Sequence, residues 1–95
     1  MNNSSQSAAT ILVVDDEAIA LEFCRATLTR AGYKVLTAAS SEQALRWFQT
    51  GHSSIALALL DVVMPGMTGA AVAKRIVALC PETRIALMSG MLLTR

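Results

Sequence analysis

Two stretches of this chain, Ile11-Leu12-Val13-Val14 and Ile55-Ala56-Leu57-Ala58-Leu59-Leu60, contain no polar residue at all. A strand that faces water on one side alternates apolar and polar positions. A strand with no polar position has two faces to bury, which happens in the middle of a parallel sheet with helices packed on both sides. The intervening segments supply those helices. Leu21, Cys24, Leu28 and Ala31 recur at helical steps, and Gly32 ends that stripe because glycine takes the left-handed cap conformation without a Cβ clash. Tyr33 to Thr37 alternates more and carries Lys34, the pattern of an edge strand.

The second half repeats the alternation. Ser40-Ser41-Glu42-Gln43 fits a capping box, with Ser40 at the cap and Gln43 reaching back. The helix it opens turns Ala44, Leu45 and Phe48 inward and stops at Gly51. Thr68-Gly69 opens a third helix with Val72, Ile76 and Leu79 on one face, and Pro81 prevents its continuation. Arg84 to Met88 reads as a fourth strand. Strand and helix in strict alternation predict an α/β fold, a doubly wound parallel sheet. Residues 1–9, rich in Asn, Ser and Gln, read as a disordered lead, and residues 10–95 as a single domain.

Composition narrows the function classes. Eight Lys and Arg against seven Asp and Glu, scattered along the 95 residues, form no basic patch for a nucleic acid. The N-terminus lacks the build of a signal peptide, and the aliphatic runs are too short to cross a bilayer. Cys24 and Cys80 are too far apart in sequence for a CxxC pair and read as small buried hydrophobes of a reducing compartment. A cytoplasmic location is expected. His52, in a loop without a second histidine or cysteine nearby, reads as an exposed loop residue.

Chemistry is expected at the strand ends. In open α/β sheets ligands bind beyond the carboxyl ends of the strands. Asp15-Asp16-Glu17 follows the first strand, Asp61 the third and Ser89-Gly90 the fourth. Parallel neighbours would bring Asp15, Asp16 and Asp61 onto one rim. Crowded carboxylates repel unless a cation joins them, and oxygen-only ligands suit a hard ion such as Mg²⁺ that keeps sites open for phosphate. The plainer alternative is that Asp16 or Glu17 merely caps the following helix.

Val13-Val14-Asp15-Asp16-Glu17, Leu59-Leu60-Asp61-Val62-Val63-Met64-Pro65-Gly66-Met67-Thr68-Gly69 and Met88-Ser89-Gly90 closely resemble the receiver domains of two-component response regulators. The resemblance runs from about residue 10 to the C-terminus, and its Asp-x-x-Met-Pro-x-Met-x-Gly signature is specific. It implies a flavodoxin-like fold with strand order 2-1-3-4 over the strands present. It also implies that Asp61 is the phosphoacceptor for a sensor histidine kinase or phosphotransfer protein, in a Mg²⁺-dependent phosphorelay. Asp16 and Asp61 would ligate the metal directly, with the backbone carbonyl of Val63, and Asp15 would act through metal-bound water. Ser89 would be the switch hydroxyl. The phosphotransfer would be self-catalysed on Asp61, so the module is a signalling domain and not an enzyme acting on a separate substrate.

Three departures from the family pattern stand out. Thr68 replaces a frequent Asp before the glycine, and either caps a helix. Val63 is aliphatic where relatives often carry a polar side chain, which removes side-chain help to an attacking water. Finally, the family pattern continues with a helix, a fifth strand bearing a lysine and closing helices, whereas this sequence ends at Arg95. Lys34 and Lys74 occupy the wrong places to replace that lysine. Two expectations follow: the fifth strand and last helices are missing, and the exposed edge favours self-association. The alternative function is therefore a non-switching, receiver-fold assembly module, with any output domain outside this sequence. A dehalogenase-type phosphatase is disfavoured, because Asp15-Asp16-Glu17 is not its Asp-x-Asp.

Overall fold

In a computed structural model, residues 8–50, 54–64, 66 and 68–88 are described. Seven elements alternate along the chain: β1 (Thr10–Val14), α1 (Ala18–Arg30), β2 (Lys34–Ala38), α2 (Ser41–Gln49), β3 (Ile55–Asp61), α3 (Gly69–Leu79) and β4 (Arg84–Met88). All strand pairings are parallel, in the order β2-β1-β3-β4. The expected fold class and strand order hold. Ser89 and Gly90, His52, Gly51, Pro65 and Met67, and most of the N-terminal lead lie outside the described residues.

The core forms on one side of the sheet. Leu12 and Val14 of β1, Ala38 of β2, and Ala58 and Leu60 of β3 meet Ala44 and Leu45 of α2 and Val72 and Ile76 of α3. Leu12, Val14, Leu60, Val72 and Ile76 are fully buried. Each such side chain contributes about 1.5–3 kcal/mol by leaving water. Met64, three residues past the end of β3, belongs to the same cluster.

The other face is covered unevenly. Helix α1 packs on β2 and β1 and shields Ile11 and Val13, yet none of its own residues is fully buried. Leu57 and Leu59 of β3 are only half-buried. The expectation that β3 is buried on both faces is therefore corrected: α1 lies over the β1–β2 half of the sheet. Leu79, expected to face inward, is about half exposed, because the buried stripe runs in steps of four through Val72, Ile76 and Cys80 and leaves Leu79 beside it.

Local signals explain the element boundaries. Ser40 Oγ accepts from Gln43 N at 3.1 Å. Gln43 reaches back one residue further than a standard capping box, its Oε1 accepting from Ala39 N at 2.8 Å. Thr68 Oγ1 caps α3 by accepting from Ala71 N at 3.2 Å. Gly32 takes φ +103° just after α1, where a side chain would be strained. At the base of the sheet the buried Thr83 donates to Ile55 O at 2.8 Å and ties β4 to β3.

Candidate functional site

Asp15 and Asp16 are the first residues beyond β1, and Asp61 is the last of β3. Because Val14 lies opposite Leu60 in adjacent parallel strands, the next register step brings Asp15 beside Asp61. One carboxylate oxygen from each of Asp15, Asp16 and Asp61 lies within 4.8 Å of the others. The three acids singled out from sequence therefore converge.

Their surroundings differ. Asp15 is 7% exposed, Asp61 is partly buried, and Asp16 faces solvent. Asp15 Oδ1 accepts from Glu17 N at 2.9 Å, which fixes the turn into α1. Glu17 occupies the cap position of that helix but makes no side-chain cap bond, so the plain capping role falls to neither Asp16 nor Glu17. Asp61 Oδ1 accepts from Val63 N at 3.2 Å, folding the loop after β3 back on the carboxylate that begins it. The Val63 side chain itself is 75% exposed at the rim.

Burial pushes the Asp15 carboxyl above its ordinary pKa. The Glu17 N–H opposes that shift, while the charge of Asp61, a hydrogen bond to Asp61 and the charge of Asp16 add to it. Among the described residues no ion pair neutralises any of the three acids. A buried carboxylate crowded by two others, with hard oxygen donors only, matches what a divalent ion such as Mg²⁺ requires.

The lysines do not supply that positive charge. Lys34 begins β2, at the opposite end of the sheet from the acidic rim, and Lys74 lies on the exposed side of α3. Sequence reasoning treated Cys24 as a buried hydrophobe. It is half-buried, and its thiol is pushed up by burial and further by the charge of Asp15. That proximity depends on how α1 docks, for which the sequence carries no signal. Trp47 donates from Nε1 to Thr37 O at 2.9 Å, tying α2 to β2.

Residues 11–92 match the family model of the response regulator receiver domain. Over 90 residues the chain is 36% identical to the autoinducer 1 sensor kinase/phosphatase LuxN of Vibrio campbellii, covering 95% of this chain and 10% of that protein. It is 37% identical over 84 residues to the DNA-binding transcriptional regulator NtrC of Azospirillum brasilense, covering 88% and 17% respectively. The chain thus spans a small part of these relatives' length. A response regulator receiver domain protein from Clostridium thermocellum superposes with a TM-score of 0.81 at 33% identity, over 90% of this chain and 70% of that one. The response regulator TrrA of Thermotoga maritima, solved in complex with Mg²⁺-BeF, gives 0.78 at 37% identity, over 85% and 69%. With the sheet order, the acidic rim and these matches in agreement, the chain belongs to the response regulator receiver domain family.

Proposed function

We propose that this domain accepts a phosphoryl group on Asp61 in a Mg²⁺-dependent phosphorelay, from a phosphohistidine of a sensor kinase or phosphotransfer protein. The observation that carries the reading is the convergence of Asp15, Asp16 and Asp61 at the ends of two adjacent strands. The Mg²⁺-BeF complex of the related TrrA supports it.

In the proposed transfer, a carboxylate oxygen of Asp61 attacks phosphorus. The new P–O bond forms as the P–N bond breaks; the P–N electron pair stays on the departing ring nitrogen, and a proton on the other ring nitrogen makes the leaving imidazole neutral. The Val63 N–H bond to Oδ1 orients the nucleophile before the donor arrives. Asp16, Asp61 and the Val63 carbonyl would hold Mg²⁺, with Asp15 acting through its bound water. Bound there, the ion supplies charge to offset the negative phosphoryl oxygens. Ser89 would turn its hydroxyl toward the same oxygens.

The same reading makes the domain a self-modifying signalling module without a separate substrate, located in the cytoplasm and without direct nucleic-acid contact. Among the described residues no helix is long and apolar enough to cross a membrane. Self-association belongs to the proposal as well. It is motivated by Ile19 and Phe23, which stand 81% and 68% exposed on α1.

Intact-mass spectrometry after incubation with acetyl phosphate and Mg²⁺ tests the reading. The wild type gains one phosphoryl adduct and Asp61→Asn gains none. No adduct on the wild type removes the phosphoacceptor assignment.

A further inference from the structure

We propose that Gly69 is a positioning residue for the acceptor loop: the absence of a Cβ there lets the first turn of α3 rest directly on the Asp61–Val62 peptide and hold it in place. A Cβ built at Gly69 would lie 2.4 Å from the Asp61 carbonyl oxygen, 3.1 Å from Val62 Cα and 3.2 Å from Asp61 C. All three contacts are backbone atoms, so no flexible side chain can swing aside. Relief to even the shortest tolerated contact, 3.0 Å, requires a movement of at least about 0.6 Å.

Val62, whose peptide with Asp61 lies under Gly69, is held from two directions. Val62 N donates to Met88 O at 2.8 Å on the β4 side, and Gly69 N donates to Val62 O at 3.1 Å on the α3 side. Helix α3 is anchored in turn by Val72 and Ile76, both fully buried. A methyl at residue 69 therefore cannot be absorbed by lifting the helix without disturbing the core. The displacement falls on residues 61–63, the segment that carries the acceptor carboxylate and the Val63 N–H bonded to it.

Functional groups tolerate about 0.5 Å of misplacement, and about 1 Å can cost about a hundredfold. Gly69→Ala at an ordinary helical position would stabilise the chain by restricting its unfolded state. At this position the close approach reverses that expectation. The consequence for metal binding rests on the Mg²⁺ site proposed above; the displacement of the loop does not.

The test compares Gly69→Ala with Ala70→Gly, an exposed position in the same turn of α3. Amide NMR spectra are recorded first without metal and then through a Mg²⁺ titration. The expected result for Gly69→Ala is a set of metal-free shift changes concentrated at Val62 and Val63, small changes in β1 and β2, and Mg²⁺ affinity weaker by about tenfold or more. Ala70→Gly should leave both readouts at the wild-type level. If Gly69→Ala does not give the wild-type circular dichroism, the spectra are repeated in trimethylamine oxide, which favours the folded state.

Wild-type shifts at residues 62 and 63, changes spread evenly over the sheet, an unaltered affinity, or a chain that stays unfolded in the osmolyte each overturn the proposal. Should the wild type itself fail to bind Mg²⁺, the metal reading fails. The metal-free shifts then decide the role of Gly69 alone.

Discussion

Replacing Asp15 by Asn removes one negative charge from the rim and keeps an oxygen to accept from Glu17 N, so it isolates the electrostatics of the site. Asp15 lies within 4.8 Å of an oxygen of Asp61 and of Asp16. Two unit charges at that separation repel by about 0.9 kcal/mol at the dielectric of water and about 3.5 kcal/mol at an effective value of 20. The rim is open to solvent on the Asp16 side, so the lower figure applies to each pair. Asp15→Asn removes two such pairs and should therefore stabilise the metal-free domain by about 2 kcal/mol at pH 7, a rise of about 8–16 °C in Tm for a domain of this size.

The pH dependence has a definite sign. The folded-state pKa of Asp15 is raised above its ordinary value of 3.8, chiefly by burial. Between those two values the folded state binds more protons than the unfolded state, so stability falls as pH rises through that window. Above the raised pKa the full cost is present, and Asp15→Asn removes this slope. Added Mg²⁺ should reverse the ranking. A ligand at a hundred times its Kd contributes about 2.7 kcal/mol, and the variant should gain less of it. Thermal unfolding in EDTA and in Mg²⁺, from pH 4 to 8, measures all of this. A variant less stable than the wild type in EDTA at pH 7 would refute the reasoning, because burial and crowding of Asp15 would then not be costly.

Two further predictions concern exposed apolar residues. Val63→Asn places a polar group at the rim, where it can orient an attacking water, and should shorten the life of the Asp61 phosphoryl group; a longer life in an adduct-decay assay contradicts this. Light scattering across a concentration series should show self-association that Phe23→Ser weakens. A monomer at every concentration would exclude the apolar α1 surface as a contact between copies.

Much of the fold was legible because local rules and tertiary packing agree. The aliphatic β1 run is fully buried as its composition requires, and Thr68 and Ser40 cap the helices that their positions announce. Asp15, Asp16 and Asp61 were identifiable from their place after strands, since parallel register carries such residues to one rim. Leu79 was misread because steps of three and of four both satisfy helical periodicity, and packing selects the stripe Val72, Ile76 and Cys80. The half-open state of Leu57 and Leu59 was misread for a related reason: an apolar run states what a strand would bury, and the docking of α1 over β1 and β2 decides what it does bury.

Sequence by itself determined the element order, the sheet type and the identity of the acids, because each follows from spacing along the chain. Only tertiary structure decided their inequality, with Asp15 buried and bonded to Glu17 N while Asp16 stays in solvent. It also decided the fit of Gly69 against the Asp61 carbonyl. Burial and close approach depend on how helices seat against the sheet, and those distances are set by packing between residues far apart in the chain.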